Sequence, residues 1–533
     1  MKKKSILGLV LIGMLAIGTL GACTPTEPVE PSVPTQPAEP TPSGTTTPTE
    51  PAPEQAAVEQ RGLIMAVQSE TPSIAPARHT SLVGHFKNVM THNGLFRLHY
   101  EALDPIPDVV SSWRALSDTQ FEFTLYEGIM FHNGEELTAY DFVASFEYAR
   151  SYPYAVTVHA SIAHAEAIDS HTLLIDTGEP NAMLFFDLAH HGNWAMPRSL
   201  IEAGHDFTAN PVGSGPFVFD HWNFGDSIHF VRNDDFFDAE RAAHIPYVTW
   251  RIIPEGSSRT IALETGEVDY IVEVAFPDIP RLRDNDNITV FERPGLTFHL
   301  MNMNNTRFPF DNIHVRHAID MALDREAMVL ASLDGFGVVN WQTTPPMFPG
   351  SSSENIRSFD PEGAKALLAE HGIDPASIGF EMAVTTEEQR RRAEVAQANL
   401  AEIGIPTSVT MMDFATQLSL SQAGELEAHF GAFTASNILS FMRGTMHSSS
   451  IGAQNGSRID NPELDRLIDL AIATTDEAQR TAILYEATAL SNEFLGTVPT
   501  SMNILVRAFS SSLNAPEIAP NGFMFLNRVY WTE

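Results

Sequence analysis

Apolar and polar positions along this chain fall into short segments of two kinds. Residues Leu63–Val67 form a continuous apolar run, which predicts a buried strand. Residues Phe121–Leu125 alternate apolar and polar side chains, which is typical of a strand with one buried face. Further strands are predicted over Phe298–Asn302, Gly379–Val384 and Thr407–Met411.

Helical patterns lie between these strands. Thr138 can cap a helix in which Asp141 completes a capping box, and Phe142, Val143 and Phe146 supply the buried face. Further helices are predicted over Val315–Leu330, Pro361–Glu370, Arg390–Ile403 and Pro462–Ala473. Strands and helices mixed in this way predict α/β lobes.

The first residues follow a different pattern. Lys2–Lys4 precede the apolar run Ile6–Leu20, and together they predict a secretory signal. Cys23 follows Leu20-Gly21-Ala22, which resembles the bacterial lipobox, so we expect Cys23 to carry the lipid anchor. The alternative is an ordinary signal peptide with a chance cysteine. Residues Thr24–Ala57 are rich in Pro and Thr, which predicts a disordered tether.

Composition narrows the possible functions. Cys23 is the only cysteine among 533 residues, so no disulfide can form within the chain. About 470 residues remain for the folded part, more than one hydrophobic core usually supports, so at least two lobes are expected. The net charge of −36 excludes nucleic acid as a partner, because no basic patch could neutralise phosphates.

Several blocks of sequence carry a family resemblance. They are residues 111–142, with Phe131-His132-Asn133-Gly134 at their centre; Asn210–Phe217; Thr265–Asp269; and Phe310–Ala318 with Asp324–Ala327. The chain resembles the solute-binding proteins of the peptide/nickel class of ABC importers over Arg61–Trp531. Each block also has a structural reading: Asn133-Gly134 suits a tight turn, Gly213 and Gly215 permit close backbone passage, and Asn312 can cap a helix.

The resemblance implies an architecture. It is an α/β, two-lobed, periplasmic-binding-protein-like fold with a hinge and an extra subdomain in the first lobe, and no cofactor. The expected boundaries are a lipoprotein signal peptide at 1–22, a tether at 23–57, lobe I at 58–300 completed by 503–533, a subdomain of lobe I at about 97–212, and lobe II at 301–502. The solute would be buried where the two lobes close.

One segment that matches the family gives information about the ligand. Peptide-binding members have aspartates in a stretch that matches Gly431–Leu439 here, and this chain lacks them. No acidic residue occurs between Glu427 and Asp460, whereas Arg443 lies within that interval. This composition favours a carboxylate, or a neutral or anionic ligand, although a gap of this length also arises by chance. The predicted ligand-binding residues are Phe433, Thr434, Ser436, Asn437 and Arg443, with Trp341 and His191 as weaker candidates.

A metal-binding protein and a secreted enzyme are the alternatives to a solute receptor. The chain has 20 histidines, but none has the spacing of a known metal site, and no metal ligand is assigned. A secreted hydrolase is the rival class, yet Gly-x-Ser-x-Gly is absent and no thiol remains after lipidation. An adhesin or structural lipoprotein has only the anchor in its favour.

The sequence therefore predicts a non-enzymatic solute receptor, anchored by lipid to the outer face of the bacterial cytoplasmic membrane. It captures a peptide or peptide-like solute and delivers it to an ABC permease with separate ATPase subunits. The alternative ligand is a nickel or metal chelate or another small anionic solute. We expect a monomer.

Overall fold

The computed structural model describes residues 61–532 except 72, 80–81, 153–158, 160 and 515–516. The predicted signal peptide, Cys23 and the tether lie outside the described residues. The strands are β1 Leu63–Val67, β2 Phe96–Leu98, β3 Pro105–Pro107, β4 Val110–Ala115, β5 Gln120–Leu125, β6 His164–Ala167, β7 Thr172–Asp176, β8 Phe217–Asn223, β9 Ser227–Arg232, β10 Tyr247–Ile252, β11 Tyr270–Ile271, β12 Ile288–Met303, β13 Gly337–Val339, β14 Phe380–Val384, β15 Thr407–Met411, β16 Ala428–Thr434, β17 Thr497–Ser510, β18 Glu517–Ile518 and β19 Met524–Phe525.

The α-helices complete the element order. They are α1 Leu82–Thr91, α2 Ala139–Arg150, α3 Leu184–Leu188, α4 Arg198–Glu202, α5 Gly256–Glu264, α6 Ile279–Arg283, α7 Ile313–Ala322, α8 Arg325–Leu333, α9 Pro361–Glu370, α10 Glu387–Glu402, α11 Phe414–Ala423, α12 Ile438–Thr445, α13 Pro462–Ala473 and α14 Glu477–Phe494. None of the helices in this described part is both long enough and apolar enough to cross a bilayer.

A single large sheet runs through both halves of the fold. Its order is β15-β14-β16-β12-β17-β11-β1-β10-β9-β8, and β13 joins the edge of β17. The long strands β12 and β17, of 16 and 14 residues, pair antiparallel along their length. One end of this pair continues through β16 into the second half, and the other end continues through β11 into the first half. These two strands are therefore the connection shared by the lobes.

The β12–β17 pair is interrupted in the middle. The register shifts between Pro294 and Phe298, which makes a β-bulge. The side-chain oxygen of Asn503 accepts the backbone N–H of Thr297 at 3.1 Å, and Leu296 donates its N–H to the carbonyl of Pro520 at 3.0 Å. A bulge bends the strand that carries it, so the long pair is bent at this point.

The buried apolar residues form separate clusters. One surrounds β1, β10 and the end of β17, and a second fills the space among α7, α9, α10 and β14. A third packs the four-stranded sheet β4-β5-β7-β6 against α2 and forms the extra subdomain. A fourth joins Met183, which precedes α3, to Phe298 and to helices α12, α13 and α14. The subdomain thus touches the second lobe through this fourth cluster.

Local sequence signals placed many elements correctly. The predicted strands Leu63–Val67 and Thr407–Met411 and the helices Pro361–Glu370 and Pro462–Ala473 are confirmed residue for residue. Asp141 accepts the backbone N–H of Thr138 at 2.8 Å, as the capping box requires. Asn312 caps α7 by accepting from His314 N at 3.0 Å.

The single helix predicted over Val315–Leu330 is wrong. The structure has α7 and α8, separated by Leu323 in an extended conformation. Asp324 accepts the backbone N–H of Ala327 at 3.0 Å and so begins a new helix. The apolar periodicity by itself predicts one continuous helix. The capping side chain of Asp324 divides it into two. The helix predicted to begin at Arg390 begins three residues earlier, at Glu387.

The close passage predicted at Gly213 and Gly215 is confirmed. A Cβ atom on Gly213 would lie 2.0 Å from the carbonyl oxygen of Thr91, and one on Gly215 would lie 2.5 Å from that of Met90. Only a residue without a side chain allows this segment to pass so near the end of α1.

Candidate functional site

The predicted binding residues Phe433 and Thr434 stand at the end of β16. The ring of Phe433 is half-buried and packs edge-to-face on Phe441 of α12, with centroids 5.4 Å apart. The hydroxyls of Thr434 and Thr297 are 2.9 Å apart, and Thr434 is exposed. Thr297 belongs to the bulge of β12, so both predicted residues lie beside the bend in the long pair.

Ser436 and Asn437 follow in the turn that leads to α12. The hydroxyl of Ser436 accepts a hydrogen bond from the side-chain amide of Asn521 at 3.1 Å, which ties this turn to the C-terminal segment. The side-chain oxygen of Asn437 accepts from Ser440 N at 2.8 Å and caps α12. Asn437 therefore has a structural role, and its contact with ligand stays a prediction.

Arg443 lies in the last turn of α12 and is partly buried. Its guanidinium has no hydrogen bond or ion pair with any residue that the structure describes. Its charge acts on Asp187 of α3, in the subdomain. Burial raises the pKa of Asp187 to about 7, against the opposing effects of Ser161 and of the charge of Arg443. Asp187 Oδ2 has no hydrogen-bond partner among the described residues.

Backbone contacts confirm that α3 and the second lobe meet at this place. The N–H of Ala182, just before α3, donates to the carbonyl of Ile472 in α13 at 2.8 Å. Met183 is buried among side chains of α12 and α13. A cation from one lobe and a buried carboxylate from the other therefore face the same interlobe region.

Trp341 is half-buried and packs against a buried arginine. The guanidinium of Arg325 lies 4.1 Å from the centre of its ring, and Arg325 is completely buried in an ion pair with Asp320. Stacking on a cation gives Trp341 a packing role, because it shields that buried pair. The structure does not place it in contact with the segment 433–437.

His191 is buried, with an exposed fraction of 3%, and its contact with ligand stays a prediction. Its Nε2 donates to the carbonyl of His79 at 3.1 Å, so Nδ1 of the neutral ring is the acceptor for Nδ1–H of His85 at 2.9 Å. Burial lowers the pKa of both His85 and His191 well below the ordinary value. Both ring nitrogens of His191 are thus satisfied by protein groups.

These histidines do not form a metal centre. Among the residues that the structure describes, no group of three or more His, Cys, Asp or Glu side chains could hold a metal ion. His190 stacks on His191 at 4.2 Å, and its Nδ1 accepts from Gly192 N, so the cluster is bonded internally. The arrangement can support packing and hydrogen bonding, but nothing in it orients a nucleophile with a base.

Sequence reasoning missed Asp187 and Asn521. Asp187 lies in the otherwise apolar run Leu184–Leu188. A single carboxylate within such a run is the sequence signal that indicates a buried acidic residue. Asn521 follows Pro520 and precedes Gly522, a combination typical of turns. Neither position could be linked to the segment 433–443 by local pattern, because both contacts join distant parts of the chain.

Comparisons with known proteins agree with this architecture. Residues 104–451 match the family described as bacterial extracellular solute-binding proteins, family 5 Middle. Heme-binding protein A of Haemophilus influenzae is 26% identical over 471 residues, covering 81% of this chain and 85% of that protein. Glutathione-binding protein GsiB of Escherichia coli K12 is 25% identical over 485 residues, covering 87% and 94%.

Solved structures confirm the two-lobed fold. The periplasmic binding protein DppA of Helicobacter pylori, in complex with the peptide STSA, superposes with a TM-score of 0.79 at 24% identity, covering 90% of this chain and all of that one. Such proteins are binding components of ABC importers and not enzymes. Because the family match spans more than half of its length, the chain belongs to the family 5 bacterial extracellular solute-binding proteins.

Proposed function

We propose that this protein is a lipid-anchored receptor that captures a peptide or peptide-like solute between its two lobes. It then delivers the solute to an ABC permease whose ATPase subunits are separate chains. Lobe I comprises 58–300 and 503–533, and lobe II comprises 301–502. The observation that carries the proposal is the meeting of groups from both lobes at the β12 bulge, where Ser436 bonds Asn521.

The ligand class follows from the groups beside that bulge. Thr434 is exposed at the end of β16, where it can bond to an extended solute, as β-edges do in peptide recognition. Arg443 has no carboxylate partner in the described part of the chain and is suited to a carboxylate of the solute. The relatives named for glutathione and the structure bound to STSA bind peptides, which supports the same class.

The membrane attachment is part of the proposal. Cys23 carries a lipid, the tether 23–57 spaces the lobes from the membrane, and the protein works as a monomer. Cys23→Ser should move the protein from the membrane fraction to the medium and abolish labelling by a palmitate analogue. Unchanged labelling would refute the anchor, and light scattering of the purified lobes tests the monomer.

Native mass spectrometry of the purified protein tests the ligand. A co-purifying peptide, released by denaturation and sequenced, is the expected result. A bound metal chelate or a heme, detected by metal analysis or by visible absorption, would replace the peptide class. Thermal stabilisation by the released compound without chemical change supports a binder, whereas product formation would refute it.

A further inference from the structure

A cavity of about 160 Å³ lies wholly within the first lobe. We call it the lobe I chamber. Its walls come from α1, from β2 and the loop after it, from Asp108, from Ala189 and Trp194, from the segment 216–241 and from the C-terminal residues 523–528. No described residue of 301–502 lines it, so the chamber is separate from the interlobe contacts around Ser436.

Charge in the lobe I chamber is opposite to that of the whole chain. Arg97, Arg241 and Arg528 line it, and among the described residues Asp108 is the one acidic residue that does. Asp108 is already engaged: it accepts from Arg241 at 2.6 Å and from the N–H of Gly94 at 3.0 Å. Arg241 also pairs with Asp238 at 2.5 Å, so three arginines stand against two carboxylates here, in a protein of net charge −36.

Arg97 is the arginine of the chamber with an unsatisfied buried atom. It belongs to β2, and its Nε is buried without a hydrogen-bond partner among the described residues. Burial lowers the pKa of Arg97, and the charges of Arg241 and Arg528 act in the same direction, against the opposing charges of Asp108 and Asp238. A guanidinium in these surroundings gains from an added anion, because hydrogen bonds between charged groups are the strong ones.

Two further orphan polar atoms belong to residues that line the chamber. Nε1 of Trp194 and Nε2 of His92 have no partner in the described structure, and both side chains are at least nine-tenths buried. The hydroxyl of Thr91 donates to the carbonyl of Lys87, so His92 Nδ1 must donate to that hydroxyl and Nε2 is an acceptor. Burial lowers the pKa of His92 to about 3, which keeps it neutral.

The remaining walls are apolar and aromatic. Trp194, Phe236, Phe523 and Phe525 surround the space, together with Val89 and Leu98. A cavity of about 150 Å³ with apolar walls accommodates benzene, so the lobe I chamber is large enough for a ring or a short chain. Its arginines provide the charged end that such a compound would need.

We propose that the lobe I chamber binds a compact carboxylate, held by Arg97 through its charge and by the aromatic side chains through its apolar part. The carboxylate can come from a separate small acid or from one end of the transported solute. Both sources use the same chemistry.

Benzoate is the first probe, with benzamide as its neutral counterpart of equal shape. Calorimetry of the purified full-length protein should show benzoate binding and at least tenfold weaker binding of benzamide. Arg97→Gln should weaken benzoate binding about tenfold or more, and Arg97→Lys should weaken it less because the charge remains. Arg466→Gln removes an exposed cation of lobe II and should leave benzoate binding unchanged.

Circular dichroism and the unfolding midpoint of each variant show whether it folds. If Arg97→Gln does not fold, two comparisons still test the proposal. They are benzoate binding by Arg97→Lys against wild type, and binding of benzoate against benzamide. Equal affinity for the two probes, or benzoate affinity that neither Arg97 variant changes, overturns the proposal.

A competition experiment separates the two sources. Displacement of benzoate by trialanine, but not by trialanine amide, assigns the chamber to the carboxyl end of the solute. Simultaneous binding of benzoate and trialanine assigns it to a separate small acid. Either result supports a carboxylate site, and it does so independently of whether the interlobe cleft binds peptide.

Discussion

Asp187→Asn tests the electrostatics of the interlobe region most directly. Asp187 is 6% exposed, and burial raises its pKa from 3.8 to about 7. A folded-state pKa above the unfolded one means that the folded protein holds the proton more tightly. The stability contributed by Asp187 is therefore fully present below pH 3.8 and is lost as the pH rises through 3.8 to about 7.

The size of this loss follows from the shift. Each unit of pKa difference corresponds to about 1.4 kcal/mol, so ionisation of Asp187 costs up to about 4 kcal/mol at pH 8 and about 2 kcal/mol at pH 5. Asparagine has the shape of the neutral acid and does not ionise. We expect Asp187→Asn to raise the free energy of unfolding by an amount that grows between these two pH values.

Urea unfolding of both proteins at pH 5 and pH 8 measures this difference. Asp320→Asn is the matched control, because Asp320 is equally buried but is ion-paired with Arg325. Removing that carboxylate leaves Arg325 buried without its partner and should destabilise the protein by about 3–5 kcal/mol. Parallel pH profiles of wild type and Asp187→Asn, or destabilisation by Asp187→Asn at pH 8, would refute the reasoning.

Three further predictions concern the same lobes. Arg443→Ala should weaken binding of the released solute in calorimetry without lowering the unfolding midpoint, and unchanged affinity would remove Arg443 from the site. Asn437→Ala should lower the free energy of unfolding by about 1 kcal/mol through loss of the α12 cap, while Asn437→Asp should not; equal losses in urea unfolding would contradict the cap. Burial lowers the pKa of His92 and His299 to about 3, so stability present above pH 6.5 should fall as the pH drops below it, by about 2 kcal/mol per histidine at pH 5. In wild type this loss of stability is partly offset, because the contribution of Asp187 grows as the pH falls. The free energy of unfolding of Asp187→Asn should therefore fall more steeply than that of wild type between pH 7 and pH 5. A free energy of unfolding that does not change with pH in Asp187→Asn would contradict the prediction.

Elements governed by local signals could be predicted from the sequence. Helix Pro462–Ala473 has Asn461 as its cap and proline at its first position, so both its start and its periodic face are encoded within a few residues. The same kind of signal was overlooked at Asp324, where an N-cap lies inside a periodic apolar run and divides α7 from α8. The fold class followed from the resemblance of whole blocks and not from any single element.

The candidate site could be predicted only where it follows one stretch of chain. Thr434 and Ser436 are predicted because they share a segment with the family motif, and ligand contact by them and by Asn437, whose side chain caps α12, stays a prediction. Asp187 and Asn521 reach that segment through tertiary contacts that no local pattern encodes.

The position of Arg443 shows why charge patterning was nevertheless informative. The absence of acidic residues from 428 to 459 leaves this arginine without a carboxylate from its own segment. The carboxylate that acts on it comes instead from Asp187, whose raised pKa leaves it only partly ionised near neutral pH. A partly ionised neighbour compensates the guanidinium incompletely, so an acidic solute entering between the lobes meets a cation that the protein has not neutralised. A solute carboxylate would also oppose ionisation of Asp187, so proton uptake on binding at pH 7, measured by calorimetry in buffers of different ionisation enthalpy, is expected. If an acidic solute binds without proton uptake, Asp187 does not lie near the bound solute.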